Sequence, residues 1–492
     1  MKTRLLTLLA VPAVVLSLVL GFCSGTVTDE SSGSSSDSSS VSPAVPSETE
    51  AETEPLETYD LGGFTFMMYS PSPESMTWAN PVLNVTEQTG EVLNDAIYQR
   101  NRDLEERANI LIAEEYGGWD IGAQTLRTIT ASGDNSYHIV SMIDRFALQA
   151  LSEHTILSYV DLPHIDLTKS CWGGNMLKDS SIGGVSYFAF GDFSLYAVDN
   201  ITALLFNQRL ADTYQLEDLY DLVESGNWTL DRFEKLCSEV TNDLDGDGLM
   251  TESDQWGYLS MPKQVLPSIW IAGGASSITK DENDLPVLNM NDEHFTELIE
   301  RAFALTWDSG AWYPNTIDND NSTELEKMFT DNHALFHDST FNKIVRLREM
   351  DSDFGIIPYP KASDEQKEYR TRVSGALIAT VPVNTAEADH TGLILELLAE
   401  DSERIVIPAY YNVAMKGKYT RDSQSGRMLD LIYSTRAYDL GDTFWCDQIR
   451  DGFIKSMMTN NDRNLASNVK RSEKMIKKNI QNIVEKITES NP

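Results

Sequence analysis

Leu195-Tyr196-Ala197-Val198-Asp199-Asn200-Ile201-Thr202-Ala203-Leu204-Leu205-Phe206-Asn207 is the stretch from which the chain is best read outward. Its second half, Ala203 to Asn207, is a short apolar run and reads as a strand. Upstream, Phe64-Thr65-Phe66-Met67-Met68-Tyr69 and Tyr137-His138-Ile139-Val140-Ser141-Met142-Ile143 have the same β-prone character. Between them, Asn94 to Asn109 reads as a helix, with Ile97, Leu104 and Ala108 apolar among many charges. Downstream, Thr229 to Thr241 reads as a helix with Thr229 as its N-cap and Asp231 in the first turn. Leu335-Phe336, Gly355-Ile356-Ile357 and Ala376 to Val381 read as strands, and Leu393 to Leu398 as a helix. Strands alternating with helices over this length predict an α/β chain with mainly parallel sheets. Leu465 to Ile487 reads as an amphipathic terminal helix docked through Val469, Ile476, Ile480, Ile483 and Ile487.

The charge excludes several partners. The 492 residues carry 76 acids against 38 bases, a net charge of −38. Nucleic-acid binding and docking to an anionic membrane through a polybasic patch both need clustered Lys and Arg. Removing the +2 of residues 1–22 and the eight acids of residues 24–58 still leaves −32 on residues 59–492. That favours a soluble, monomeric protein. An apolar fraction of 41%, with nine Trp, nineteen Tyr and seventeen Phe, excludes a wholly disordered chain.

Lys2 and Arg4 precede an apolar run from Leu5 to Leu20, the arrangement of a secretory signal over residues 1–22. Leu20-Gly21-Phe22-Cys23 resembles the lipobox of bacterial lipoproteins, which implies a lipid on Cys23; Phe22 stands where that motif has a small residue. An uncleaved anchor would give the same topology. Residues 24–58 include eleven Ser and almost no large apolar residue, so 23–58 read as a disordered acidic tether on a lipidated cysteine. The rest of the chain is then expected at the extracellular face of a bacterial cell membrane. Cys171, Cys237 and Cys446 remain, an odd number without a CxxC, and read as small buried hydrophobes.

The sequence has no GxxxxGK[ST] loop, no GxGxxG after a strand and no GxSxG elbow. His333 and His337 have metal-ligand spacing for a helix, but the run between them reads as a strand. There the pair shares a face about 13 Å apart. With 76 acids, adjacent carboxylates are no evidence of a glycosidase.

Asp243-Leu244-Asp245-Gly246-Asp247-Gly248-Leu249-Met250-Thr251-Glu252-Ser253-Asp254 has EF-hand loop spacing. Asp243, Asp245 and Asp247 fall at positions one, three and five, Gly248 at six, and Leu249 would offer its carbonyl at seven. Thr251 follows at nine, and Asp254 closes the loop where a bidentate Glu is usual. The spacing leaves two readings open, a structural Ca2+ loop or an Asp/Gly turn without metal. No other cofactor is called for. Trp270, Trp307, Trp312 and Trp445 are dispersed, and either a sugar-stacking or a core role suits each.

From Tyr59 to its end the chain resembles the extracellular solute-binding proteins of ABC importers, in particular the family of maltose-type sugar binders. The opening stretch is similar to the family's crossing strand, and Asn227-Trp228-Thr229-Leu230-Asp231-Arg232-Phe233 to a helix start of that family. Gln255-Trp256-Gly257-Tyr258 after the Asp/Gly loop and Asp353-Phe354-Gly355-Ile356-Ile357-Pro358-Tyr359-Pro360-Lys361 carry it further. The resemblance implies a type II periplasmic-binding-protein fold, with two α/β lobes, a hinge and an interlobe cleft. Lobe 1 would take 59–197 and 375–408, and lobe 2 would take 198–374 and 409–492. It implies no catalysis, but capture of a carbohydrate, an oligosaccharide foremost, for an ABC permease, with lobe closure read by the permease.

Site residues carried over from the resemblance are Asp144 and Asp338 as hydroxyl acceptors, and Arg145 as a polar neighbour. Trp270, Phe341 and Trp445 would be stacking platforms and Tyr410 a hinge-side contact; a core role is the alternative at each. Phe341 stands where many members have Trp. The competing functions are an extracellular carbohydrate-active hydrolase and a receptor for another solute, such as a peptide or polyol.

Overall fold

The computed structural model describes residues 56–314, 322–344, 347, 350–411 and 423–489. The expected signal segment, Cys23 and nearly all of the tether lie outside these residues. Residues 57–492 form one compact unit. No helix among the described residues is long and apolar enough to cross a membrane.

Among the described residues thirteen strands form: β1 Phe64–Pro71, β2 Ile110–Gly117, β3 Ile139–Ile143, β4 Ile156–Leu157, β5 Thr202–Asn207, β6 Trp256–Leu259, β7 Ile278–Lys280, β8 Pro286–Leu288, β9 Ala334–Thr340, β10 Phe354–Ile357, β11 Thr371–Arg372, β12 Leu377–Pro382 and β13 Arg436–Ala437. The first large sheet has the order β2-β1-β3-β12-β4, and the second β10-β5-β9-β6. Two small ladders, β11-β13 and β7-β8, complete the set.

The predicted elements form within a few residues of their expected bounds. The Asn94–Asn109 pattern becomes the helix Val92–Ala108, and Leu465–Ile487 the helix Leu465–Glu489. That last helix buries Leu465, Val469, Ile476, Ile480 and Ile487, packing on the helix Asp144–Ser152 and on β8. Thr229 occupies the N-cap position of Leu230–Val240, but its side chain makes no capping bond; the Leu230 amide donates instead to the Lys361 carbonyl at 2.9 Å. Cys171, Cys237 and Cys446 are buried free thiols.

Mainly parallel sheets are not what forms. β1 runs parallel to β2 and β3, and β6 parallel to β9. β12 runs antiparallel to β3 and β4, and β5 antiparallel to β9 and β10. The cause is the path of the chain. β5 and β12 are the strands by which it enters one sheet directly from the other, so each arrives without the helical crossover that makes neighbours parallel. The two crossings lie side by side: Ile201 bridges Val373 in antiparallel fashion, and the Ser374 amide donates to the Asn200 carbonyl at 3.1 Å. The chain leaves the first sheet again after the helix Ala388–Asp401, which packs on Val92–Ala108, and returns to the second in Ser423–Ser434, which packs on β10.

Candidate functional site

β1, β2 and β3 run in one direction, so the loops that follow them emerge at the same edge of the first sheet. In open α/β sheets that edge is where ligands are bound. β1 ends at Pro71, and the loop after it holds Pro73 and Pro81, which break helix and favour extended chain, and carries Trp78. β2 ends at Gly117, and the loop after it begins Gly118-Trp119-Asp120. β3 ends directly into Asp144-Arg145-Phe146. Gly122 lets these segments meet: a Cβ there would stand 3.1 Å from the Phe146 Cβ.

Three aromatic rings gather at this edge. Trp78 and Trp119 lie 6.3 Å apart, centre to centre and nearly edge-on, and Trp119 and Phe146 lie 6.1 Å apart. Trp78 is 39% exposed and Trp119 45%. Two neighbouring, partly exposed tryptophans offer apolar ring surface to a ligand. Elements of the second sheet close in from the other side. The Asn342 side chain, just past β9, donates to the Trp78 carbonyl. Arg145 pairs with Asp447 at 2.7 Å and with Asp451 at 3.4 Å.

The residues expected from the sequence fall in two groups. Arg145 stands beside the aromatic patch, half-buried, with its guanidinium held by those two acids. Asp144 is a strut rather than an open acceptor. It is 2% exposed, and its carboxylate accepts from the Ala376 amide at 2.7 Å, the Arg145 amide at 2.8 Å and the Tyr438 hydroxyl at 2.5 Å. It thereby ties β3 to the start of β12 and to the 438 segment. Burial pushes its carboxyl above the usual range despite these bonds. Asp338 lies on β9, takes the Ser260 hydroxyl at 2.7 Å, and is likewise pushed up by burial.

Trp270, Phe341 and Trp445 are core residues and offer no open ring face. Each is at most 1% exposed. Trp270 packs against Phe295, and the Trp445 indole donates to Asn479 at 2.8 Å. Phe341 sits beneath the crossing, its amide donating to the Ile201 carbonyl at 3.1 Å. The physical reason is position: Trp270 and Phe341 lie on apolar faces of helices, where an aromatic fills space. Tyr410 is also buried, its hydroxyl donating to Asp199 at 2.7 Å. Sequence reasoning missed Trp78 and Trp119. The available signal was a Trp in a Pro- or Gly-rich loop, where no helical or strand period could carry it into a core.

In the Asp/Gly loop, carboxylate oxygens of Asp243, Asp245 and Asp247 lie within 4.8 Å of one another. The Gly246 and Gly248 amides both donate to Asp243, and the two glycines adopt φ of 73° and 86°, left-handed values that only glycine takes without strain. Oxygen donors so arranged fit a hard cation. Asp254 and Thr251 do not join them. Asp254 is buried and accepts from the amides of Leu244 and Thr251 and from the Thr251 hydroxyl, apart from the group formed by the other three carboxylates. Leu249 is exposed, its amide bonded to Asp247. His333 and His337 lie on or beside β9, as the strand reading requires, and His337 packs against Phe329.

Neither a protein-family model nor a curated protein sequence matches the chain. Solved structures do. One is a cyclo/maltodextrin-binding protein complexed with maltotetraose, with a TM-score of 0.58 and 10% identity over 85% of this chain and 97% of that one. A sugar transporter from Rhizobium etli in an open conformation gives 0.57 and 13%, over 87% and 99%. An extracellular solute-binding protein from Staphylococcus aureus in complex with maltose gives 0.56 and 12%, over 87% and 99%. At such identities the likeness is one of fold: the mixed α/β architecture of the chain matches the two-lobed fold of these proteins.

Proposed function

We propose that this chain is the substrate-binding component of an ABC importer, an extracellular receptor that delivers a carbohydrate, an oligosaccharide foremost, to a membrane permease. It binds and does not catalyse. The observation that carries the reading is the Trp78–Trp119–Phe146 surface, its two tryptophans exposed, set where the C-terminal ends of β1, β2 and β3 meet the end of β9. The sugar ligands named for two of the fold neighbours support it.

In this reading lobe 1 comprises 59–197 and 375–408, and lobe 2 comprises 198–374 and 409–492. The paired crossings at Ile201 and Val373 are the hinge. A ligand stacked on the aromatic surface and touching both lobes favours the closed form, and the permease reads closure. Cys23 carries a lipid, the tether holds a monomer near the outer face of the cell membrane, and the acidic surface keeps it soluble.

A thermal-shift panel of maltotetraose, maltose, a tetrapeptide and a polyol tests the proposal. A sugar at a hundred times its Kd should stabilise the fold by about 2.7 kcal/mol and be recovered intact. Released reducing sugar would mean a hydrolase, and a shift with the peptide alone would mean another solute class.

The Asp/Gly loop is proposed to hold structural Ca2+ through Asp243, Asp245 and Asp247 with the Leu249 carbonyl, so that removing calcium lowers the melting temperature. Identical melts in excess calcium and in chelator would sink that assignment.

A further inference from the structure

The Trp78 ring owes its position to a buried turn behind it. Upstream, the loop is fixed where the Met76 amide donates to the Ser72 carbonyl at 3.1 Å. Downstream it is fixed at Leu83, whose carbonyl accepts from Arg100 and Asn101. Between these points the chain meets the one-turn helix Tyr196–Asp199 in the crossing to the second sheet. Tyr196 and Asp199 are three residues apart on that turn, so they share a side of it. The Trp78 indole donates to the Tyr196 hydroxyl at 3.1 Å, and the Asn80 amide donates to the Asp199 carboxylate at 2.7 Å. Both anchors are at most 5% exposed.

From this geometry we propose that Tyr196 and Asp199 are positioning residues for the carbohydrate platform, holding residues 78–80 so that the Trp78 ring faces the site. The proposal rests on the sugar-binding reading above and adds to it the link between platform and hinge. Asn80 precedes Pro81, so its backbone is confined to extended conformations, and one hydrogen bond to its amide fixes the entry of the loop. A carboxylate suits this place because it accepts two bonds at once. One oxygen takes Asn80 and the other takes the Tyr410 hydroxyl at 2.7 Å, so the loop, the crossing turn and the 410 segment meet at one group. Burial without a cationic partner pushes Asp199 up to about 6. That penalty on the charged form would be absent with an apolar residue there, and the bond to the loop would be absent with it. Because the turn lies within the crossing, a movement of the crossing is transmitted to the platform by the same two bonds.

The test uses the full chain with Tyr196→Phe, Asp199→Asn and Trp78→Ala. Maltotetraose affinity is measured by calorimetry, and exposure of the Trp78 ring by acrylamide quenching, as the difference from a Trp78→Phe partner in each background. The expected result is a five- to tenfold loss of affinity in Tyr196→Phe and Asp199→Asn, with about a twofold rise in Trp78 quenching. Unchanged quenching in both variants overturns the proposal, as does unchanged affinity while Trp78→Ala has lost binding. Should Asp199→Asn fail to fold, Tyr196→Phe decides alone, since it keeps the buried ring and removes one oxygen. Full affinity in Trp78→Ala instead removes Trp78 from the platform, absence of sugar binding in the parent chain overturns the carbohydrate reading, and in either case quenching still decides whether the turn sets the ring.

Discussion

Truncating Trp119 to alanine should weaken maltotetraose binding at least tenfold, about 1.4 kcal/mol, and leave the ligand-free melting temperature within about 2 °C of the parent. Trp119 is 45% exposed and sits on a Gly-Gly turn, so its loss opens no cavity and removes little packing. What it removes is one face of the stacking surface, and aromatic anchors that a ligand covers dominate the energetics of binding sites. Removing Trp78 as well should push binding beyond the millimolar range. The double loss should also exceed the two single effects, because the rings are 6.3 Å apart and bear on the same ligand. The same truncation at Trp270 should do the opposite. That ring is fully buried against Phe295, so the melting temperature falls while the folded fraction keeps its affinity. Isothermal titration beside thermal melts separates the two patterns. Unimpaired affinity in the Trp78/Trp119 double variant would remove the aromatic surface as the site.

The contrast between Trp119 and Trp270 also shows what can be read from a sequence of this kind. Strand and helix positions were legible because burial leaves a period, as in the continuous apolar run of β5 and the apolar stripe of the terminal helix. Strand direction was not legible. It depends on where the chain crosses between sheets, and neither β5 nor β12 carries a local mark of arriving from the opposite sheet. Asp144 and Arg145 follow β3 directly, but local sequence cannot say that Tyr438, nearly three hundred residues on, would occupy the Asp144 carboxylate. Aromatic residues on apolar helix faces were credited with binding roles because nothing in their neighbourhood separates a cleft wall from a core. The two rings with exposed faces lie in loops, where composition is informative and periodicity is silent.

Replacing Asp442 by alanine should be the most destabilising single substitution proposed, at about 3–5 kcal/mol, read as a drop in the urea midpoint without a change in slope. Asp442 has no exposed side-chain surface and accepts two bonds from Arg372, at 2.6 and 2.9 Å, with Arg372 itself only 1% exposed. Arg450 adds a third at 3.3 Å. Removing the carboxylate strands a guanidinium that water cannot reach, and this desolvation, rather than the attraction lost, sets the size of the effect. Arg450 keeps Asp451 at 3.1 Å, so the burden falls on Arg372, whose remaining side-chain partner is Gln264. Arg372 ends β11, two residues before Ser374 and its bond to the first crossing, so the loss should also loosen the paired crossings. Two comparisons isolate the cause. Asp442→Asn keeps one acceptor and should lose less. Adding Arg372→Met to Asp442→Ala should restore much of the midpoint, because the buried charge is then gone from both sides. If the double variant is no more stable than Asp442→Ala alone, the cost lies in the turn Asp439–Thr443, where the Asp442 amide donates to Asp439 at 2.9 Å, and not in a stranded charge.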